Sequence, residues 1–399
     1  MHTLVEKAGR SSSVAAAPRR ANGLILAGLV IGLNAALFLL VQRANADLLR
    51  GDFKMFYTAA LALRSGHASE LYSRDLYVTL QRQLLPALSL YDVKVYTHPP
   101  YELLVFWPLS FLGYKAAGYC WLAVSILLGL LCGRLLPGYA AVLGLFPFLA
   151  MLLEQQDSVL ALLLLIACWR ALREAREVRA GILLGLALFK FQIVVPLALL
   201  LLFWRPAIWK GLAISSAVVV LLSYALAGPA GMRSYARYVS SMAQDSAAAV
   251  SARYRMDPRT NPTLRGLTYE ILSRGGESAP PLAAHVMPFA LGLLDLLCIG
   301  AAAKFMRGNA GPEAKFSVAV LAALLVSFHL LMHDLLWLAL PFVLLRGSRA
   351  RQPLLIFYLA PLVYLFYPSS QAWLALVIVL SFWLVIVPGS RRMVYEPNR

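Results

Sequence analysis

The chain has 399 residues, of which 60% are hydrophobic and only 14% charged, and its mean hydropathy is +0.71. A soluble domain carries about a quarter charged residues, so this composition excludes an ordinary water-soluble enzyme and points to burial in lipid. The net charge of +17 comes from Lys and Arg gathered in short segments between apolar runs, a pattern of cytoplasmic anchoring rather than of a nucleic-acid partner.

Basic Lys7, Arg10, Arg19 and Arg20 precede an apolar run from Leu24 to Val41. That run is too long for a signal-peptide core and has no small-residue cleavage site after it, so a retained first span is expected at about 22–43 behind a cytoplasmic segment 1–21. A Tyr-rich outer segment of mixed charge follows at about 44–114. Within it, the run 98–113 is short and carries Pro108, so it either re-enters or lies at the interface, or it spans and shifts the parity elsewhere. Spans at about 115–134, 138–153 and 157–171 lead to a basic loop holding Arg170, Arg173, Arg176 and Arg179. The segment 180–204 begins and ends beside arginines (Arg179 and Arg205), so it is expected to enter and return, turning near Lys190-Phe-Gln192 as two half-length helices. Further spans are expected at about 208–228, 283–305, 314–332, 335–346, 353–367 and 370–388, with a cytoplasmic tail at 389–399. A second outer loop, about 229–283, holds Arg233, Arg237, Arg253, Arg255, Arg259, Arg265 and Arg274, against the positive-inside rule, which weakens for loops near this length. The expected architecture is therefore all-α: a polytopic membrane domain over 22–388 with about 12 crossings and both termini inside. Cys120, Cys132, Cys168 and Cys298 lie in apolar stretches without a CxxC pair, which indicates neither a disulfide framework nor a metal site.

Ionisable residues near membrane segments are expensive and mark function. Here Asp52 follows the first span, His98 precedes two prolines, and Glu154-Gln155-Gln156-Asp157 joins two spans. Lys190 and Gln192 sit at the turn of the broken helix, while His329 and His333, four apart, are read as one helical face, with Asp334 next. All fall on the expected outer side. A permease would place polar residues near the bilayer midplane, whereas a cavity at one interface suits chemistry on a lipid head group. The residue types fit glycosyl transfer, in which a carboxylate takes the acceptor's hydroxyl proton and cations stabilise a departing lipid phosphate. Lys190, His333 and the loop arginines are the candidate cations. No glycine-rich nucleotide motif supports a soluble nucleotide-sugar donor. The bland readings pair Asp52 with Arg50 or Lys54, let Lys190 snorkel to the interface, and assign Tyr57, Tyr72, Tyr96 and Trp107 to an interfacial aromatic belt. A transporter or flippase is the rival from another class.

Several segments then carry a resemblance. Gly51-Asp52-Phe-Lys-Met-Phe-Tyr57-Thr-Ala-Ala, followed by Gly66 and Leu71-Tyr72, leads through Tyr96-Thr-His98-Pro99-Pro100 into Phe106-Trp107-Pro108-Leu109, with Trp121 downstream. Together with Glu154-Gln155-Gln156-Asp157, Phe189-Lys190-Phe-Gln192, Asn261-Pro-Thr-Leu264-Arg265-Gly266 and His329 to Asp334, this resembles glycosyltransferase family 87 over roughly 22–345. That family has the GT-C fold and includes mycobacterial transferases of mannose and arabinose. The sequence departs from its Gly-Gln-x-Asn pattern at Gln155 and Asp157, and from its Leu-Lys-Pro at Phe191. The resemblance implies Asp52 as catalytic base, with His333 and Lys190 at the donor's phosphate or sugar. The expected set is thus catalytic Asp52 and His333, with Lys190, His329, Asp334, Gln156, Asp157, His98, Tyr57, Asn261 and Arg265 at the substrate. No cofactor is expected and no metal either, His329/His333/Asp334 being the one grouping that could hold an ion. The implied partners are a polyprenyl-phosphate-linked sugar, most simply mannose, a glycolipid or cell-envelope glycan acceptor, and the bilayer itself. The implied location is the bacterial cytoplasmic membrane, with the site facing the periplasm.

Overall fold

The computed structural model describes residues 28–40, 51–136, 138–244, 258–273, 281–359 and 371–387, and every element among them is helical. Three helices are long and apolar enough to cross a bilayer: Tyr114–Leu135, Ile208–Ser240 and Pro288–Arg307. Their outward faces carry Leu127 at 64%, Leu221 at 69% and Phe289 at 82% exposure, an apolar surface that lipid covers at no cost and water would not. A fourth crossing arises if Glu177–Leu186 and Leu188–Leu202 count as one span, and Gly28–Leu40, Met332–Leu344 and Leu374–Ile386 are shorter apolar helices. The chain is an all-α membrane protein, and among the described residues three or four of the expected crossings have helices long enough to span.

The expected break near Lys190 is present: Glu177–Leu186 and Leu188–Leu202 meet at 63°. Arg205 Nη1 lies 3.4 Å from Glu177 Oε1, so the chain comes back to the end it left. Glu177–Leu186 packs backbone to backbone against the start of Ile208–Gln244, because any Cβ at Gly181 or Gly211 would run into the facing main chain. Ile208–Gln244 then kinks at Gly228, whose φ of 63° suits glycine, just before Pro229. Past the kink, Tyr235 and Tyr238 pack on Tyr72, so the beginning of the expected outer loop 229–283 is helix laid over the 51–113 segment. Arg253, Arg255 and Arg274 lie outside the described residues, as do all of 1–21, both ends of the expected first span 22–43, residues 360–367 of the expected span 353–367, and the tail 389–399.

The 51–113 segment forms a layer at one end of the helices. Phe53–Arg64 and Arg74–Leu84 enclose an aromatic cluster in which Phe56 stacks on Phe106 at 4.4 Å and Phe106 meets Trp121 at 4.7 Å. Tyr57 and Tyr96 are buried inside it, at 5% and 0% exposure, so they are core residues and not the interfacial belt expected of them. The run 98–113 resolves as three short turns, Pro100–Glu102, Leu103–Phe106 and Pro108–Phe111, all far below the roughly 20 residues a crossing needs. It does not span. Pro99, Pro100 and Pro108 supply no amide hydrogens and interrupt any longer helix.

Candidate functional site

The site is assembled on the reversal between Phe146–Glu154 and Ser158–Arg173. Gln155 turns the chain in the left-handed region, φ 54°, where a glycine would be unstrained. Its carbonyl accepts from Trp121 Nε1 at 3.0 Å, which ties the reversal to the Tyr114–Leu135 helix. Gly51 lies against this turn so closely that a Cβ there would stand 2.7 Å from the Glu154 carbonyl oxygen. The amide of Asp52 donates to the same carbonyl at 2.8 Å, fixing the carboxylate over the turn.

Both oxygens of Asp52 are engaged. Oδ2 accepts from Gln156 Nε2 at 2.5 Å, and Oδ1 stands 3.1 Å from Lys94 Nζ. Burial by itself raises the Asp52 carboxyl, but Lys94, His333 and the Gln156 amide outweigh it and hold the group below the usual carboxylate range. The Asp52 charge in turn raises Lys94 against the effect of burial. A cavity of about 370 Å³ opens here, walled by Asp52, Lys94, Asp92, Glu154 and the buried Lys54, with Gly51 and Leu331 completing it.

Behind the cavity runs a chain of buried charges. His333 Nδ1 meets Glu154 Oε2 at 2.5 Å, and its Nε2 lies 3.6 Å from Asp334 Oδ2. Asp334 Oδ1 accepts from Ser158 Oγ at 2.9 Å and stands 3.1 Å from Lys190 Nζ, which is 2.8 Å from Asp157 Oδ1. His98 Nδ1 then lies 3.3 Å from Asp157 Oδ2 and 2.7 Å from Glu102 Oε2, and Tyr96 donates to the latter at 3.0 Å. Acidic and basic groups alternate along this run, so each buried ionisable group has an opposite-sign neighbour to offset part of its desolvation.

The structure thus brings Asp52, Gln156, Asp157, Lys190, His333, Asp334 and His98 into one connected site. Only Asp52 of these lines the cavity; Lys190, at 2% exposure, is clamped between two carboxylates rather than aimed at a ligand. Asp52 pairs with Lys94, and Arg50 lies outside the described residues. The shared helical face of His329 and His333 is corrected. The helix Pro312–Val326 ends before Ser327, whose backbone is extended, and the next helical turn starts at Met332. His329 therefore sits in a connector and His333 in the first turn beyond it, so the one-face spacing rule does not apply. That connector is braced by Asn261 Oδ1, which accepts from the Leu330 amide at 3.0 Å, and by Arg265 Nη1, which donates to the Phe328 carbonyl at 3.3 Å. Tyr57 is not brought to the cavity: its hydroxyl donates to the Leu112 carbonyl at 2.8 Å and its ring packs beside Phe53 and Tyr114.

Lys94, Glu102 and the His333 partner role of Glu154 are the features the sequence reading lacked. Glu102 carried a usable signal, a carboxylate inside the apolar run after Pro99-Pro100. Lys94 carried none, because it lies in a polar connector where charge is unremarkable. Among the described residues, a grouping that could hold an ion is His98, Glu102 and Asp157, whose donor atoms lie within 4.8 Å of one another. The Lys190 ammonium beside Asp157 already supplies positive charge to that grouping.

A family model described as glycosyltransferase family 87 matches residues 96–332, more than half of the chain. No curated protein and no solved structure matches it.

Proposed function

The chain belongs to glycosyltransferase family 87 and is a membrane glycosyltransferase, and on that premise we propose that it moves a sugar from a polyprenyl-phosphate donor with Asp52 as general base. The observation that carries this reading is Asp52 itself: a carboxylate fixed by the Glu154 carbonyl and the Gln156 amide, at the wall of a cavity that also presents a lysine. A base needs an ionised carboxylate at working pH, and the groups around Asp52 favour its ionised form.

In the proposed reaction the acceptor hydroxyl gives its proton to Asp52 as its oxygen attacks the anomeric carbon. The bond from that carbon to the phosphate oxygen breaks, and its electron pair leaves on the polyprenyl phosphate. Attack opposite the leaving group inverts the anomeric centre. His333, held by Glu154 and Asp334, orients the Glu154 carboxylate at the cavity wall. Mannose is the proposed sugar, and a lipid-linked or cell-envelope glycan the acceptor. The proposed setting is the bacterial cytoplasmic membrane, with about twelve crossings and the cavity on the periplasmic side.

The test is transfer by the purified protein in lipid, offered a panel of radiolabelled polyprenyl-phosphate sugars with membrane extract as acceptor source. Transfer from one donor, mannose foremost, is expected. Absence of transfer from every polyprenyl-phosphate donor, with transfer from a nucleotide sugar, would overturn the donor assignment.

A further inference from the structure

Each oxygen of Asp52 already has a partner, Gln156 on one and Lys94 on the other. Each oxygen keeps a second lone pair for a proton, but an ammonium at this distance makes the carboxylate a weaker base, so the departure of one partner would strengthen it. Gln156 is 4% exposed and held within the 154–157 reversal, so it is poorly placed to move. Lys94 differs. Its side chain is 47% exposed, while its backbone is held at both polar atoms by Gln81, which accepts from the Lys94 amide at 3.0 Å and donates to the Lys94 carbonyl at 2.6 Å. Gln81 is fully buried on the Arg74–Leu84 helix. The anchor point of Lys94 is therefore fixed at the cavity wall, and its flexible four-carbon chain is the part free to swing.

The cavity's charges say where it goes. Facing Asp52 are Lys94 and Asp92 from the connector, Lys54 from the first turn of the helix that Asp52 caps, Glu154 from the reversal, and His333 behind Glu154. Lys54 is 2% exposed, so Lys94 is the cation on this wall that an entering anion meets. A phosphate diester there competes with Asp52 for the same ammonium.

We propose that Lys94 is the donor-phosphate anchor of this site, resting on Asp52 until the donor enters and then passing to the phosphate, which frees the carboxylate to act as base. The donor thereby switches on its own catalyst, and the acceptor's proton is not taken until a leaving group is in place. Lys94 also balances the charge that accumulates on the phosphate as the bond to the sugar breaks. This inference rests on the proposed role of Asp52, but the binding half of it does not require that role.

The experiment compares wild type with Lys94→Met and Lys94→Arg in lipid. The first readout is competitive inhibition by polyprenyl monophosphate without a sugar. Lys94→Met is expected to raise its Ki about tenfold, and Lys94→Arg to leave it near wild type, since an anion contact of this kind is worth about a tenfold change in affinity. The second readout is the ratio of kcat/KM at pH 5 to that at pH 7. With Lys94 gone, Asp52 loses the charge that favours its ionised form, so it binds a proton at higher pH, and the Lys94→Met rate falls at pH 5 where wild type stays level. His333 is common to all three proteins, so its titration cancels in the comparison. An unchanged Ki for Lys94→Met overturns the phosphate anchor. A raised Ki with an unchanged pH ratio overturns the switch on Asp52. Full transfer by Asp52→Asn, with the raised Ki retained, would instead remove the base assignment and the switch together while keeping the anchor.

Discussion

Lys190 provides the sharpest test of how the buried charges are held. Its ammonium stands 2.8 Å from Asp157 and 3.1 Å from Asp334, and its side chain is 3% exposed against 0% and 2% for the two carboxylates. Lys190→Met keeps the length of the side chain and most of its volume, so little cavity opens and the packing term stays small. What is lost is the positive charge between two carboxylates that cannot reach water. Removing one partner of a buried ion pair costs about 3–5 kcal/mol, and two stranded carboxylates place this variant toward the upper part of that range. Ser158 still donates to Asp334 at 2.9 Å and His98 still faces Asp157 at 3.3 Å, which keeps the loss from exceeding it. The double variant Lys190→Met/Asp157→Asn should recover part of the loss, because the neutral amide no longer needs the ammonium. Equilibrium unfolding in mixed micelles measures both. A loss below about 1 kcal/mol, roughly the worth of a surface pair, together with a raised KM for donor, would refute the clamp and return Lys190 to substrate contact.

Two further perturbations probe the 154–157 reversal. Gly51→Ala should leave the fold intact but push Asp52 off the Glu154 carbonyl, which a new Cβ would meet at 2.7 Å; transfer is expected to fall about tenfold or more in kcat, since misplacement of a reacting group by about 1 Å is costly. An unchanged kcat would show that the close approach does not position the carboxylate. Gln155→Gly should be neutral to stabilising at φ 54°, whereas Gln155→Val should lose about 1–2 kcal/mol, read as a lower thermal midpoint in detergent. Equal stability of the two variants would remove backbone strain as the explanation.

Much of the site was legible because charge is rare in this chain. Asp52, Asp157, Lys190, His333 and Asp334 stand out against apolar surroundings, and placing each at a span end was enough to predict that they share one side. In the fold Asp157, Lys190, Asp334 and His333 form one run of ion pairs, and Asp52 adjoins it through Glu154. The family pattern supplied the role expected of Asp52, and one of its departures has physical sense: Gln155 takes the left-handed position where that pattern has glycine. Lys94 was invisible, since a lysine among Asp92, Tyr91 and Tyr96 in a polar connector has no pattern to betray that Gln81 fixes it at a cavity wall. His329 was misread because spacing of four implies one face only inside a continuous helix, and nothing in Val326-Ser327-Phe328 announces that the helix ends there. Tyr57 and Tyr96 were misread because an aromatic residue near a membrane surface has the same local signature whether it faces head groups or a buried cluster. Span boundaries were hard to read for the same reason: Phe146–Glu154 covers only part of the apolar run read at 138–153, and Met332–Leu338 straddles the boundary read between 314–332 and 335–346.

The most direct test of the central claim uses whichever polyprenyl-phosphate sugar the purified protein accepts and compares single-turnover transfer by wild type and Asp52→Asn, with the anomeric configuration of the product read by NMR. The account predicts inversion by wild type and a loss of about a thousandfold or more in the variant, within the range a positioned general base contributes, with polyprenyl monophosphate still bound. Retention of configuration, or a variant that transfers at the wild-type rate, would contradict it.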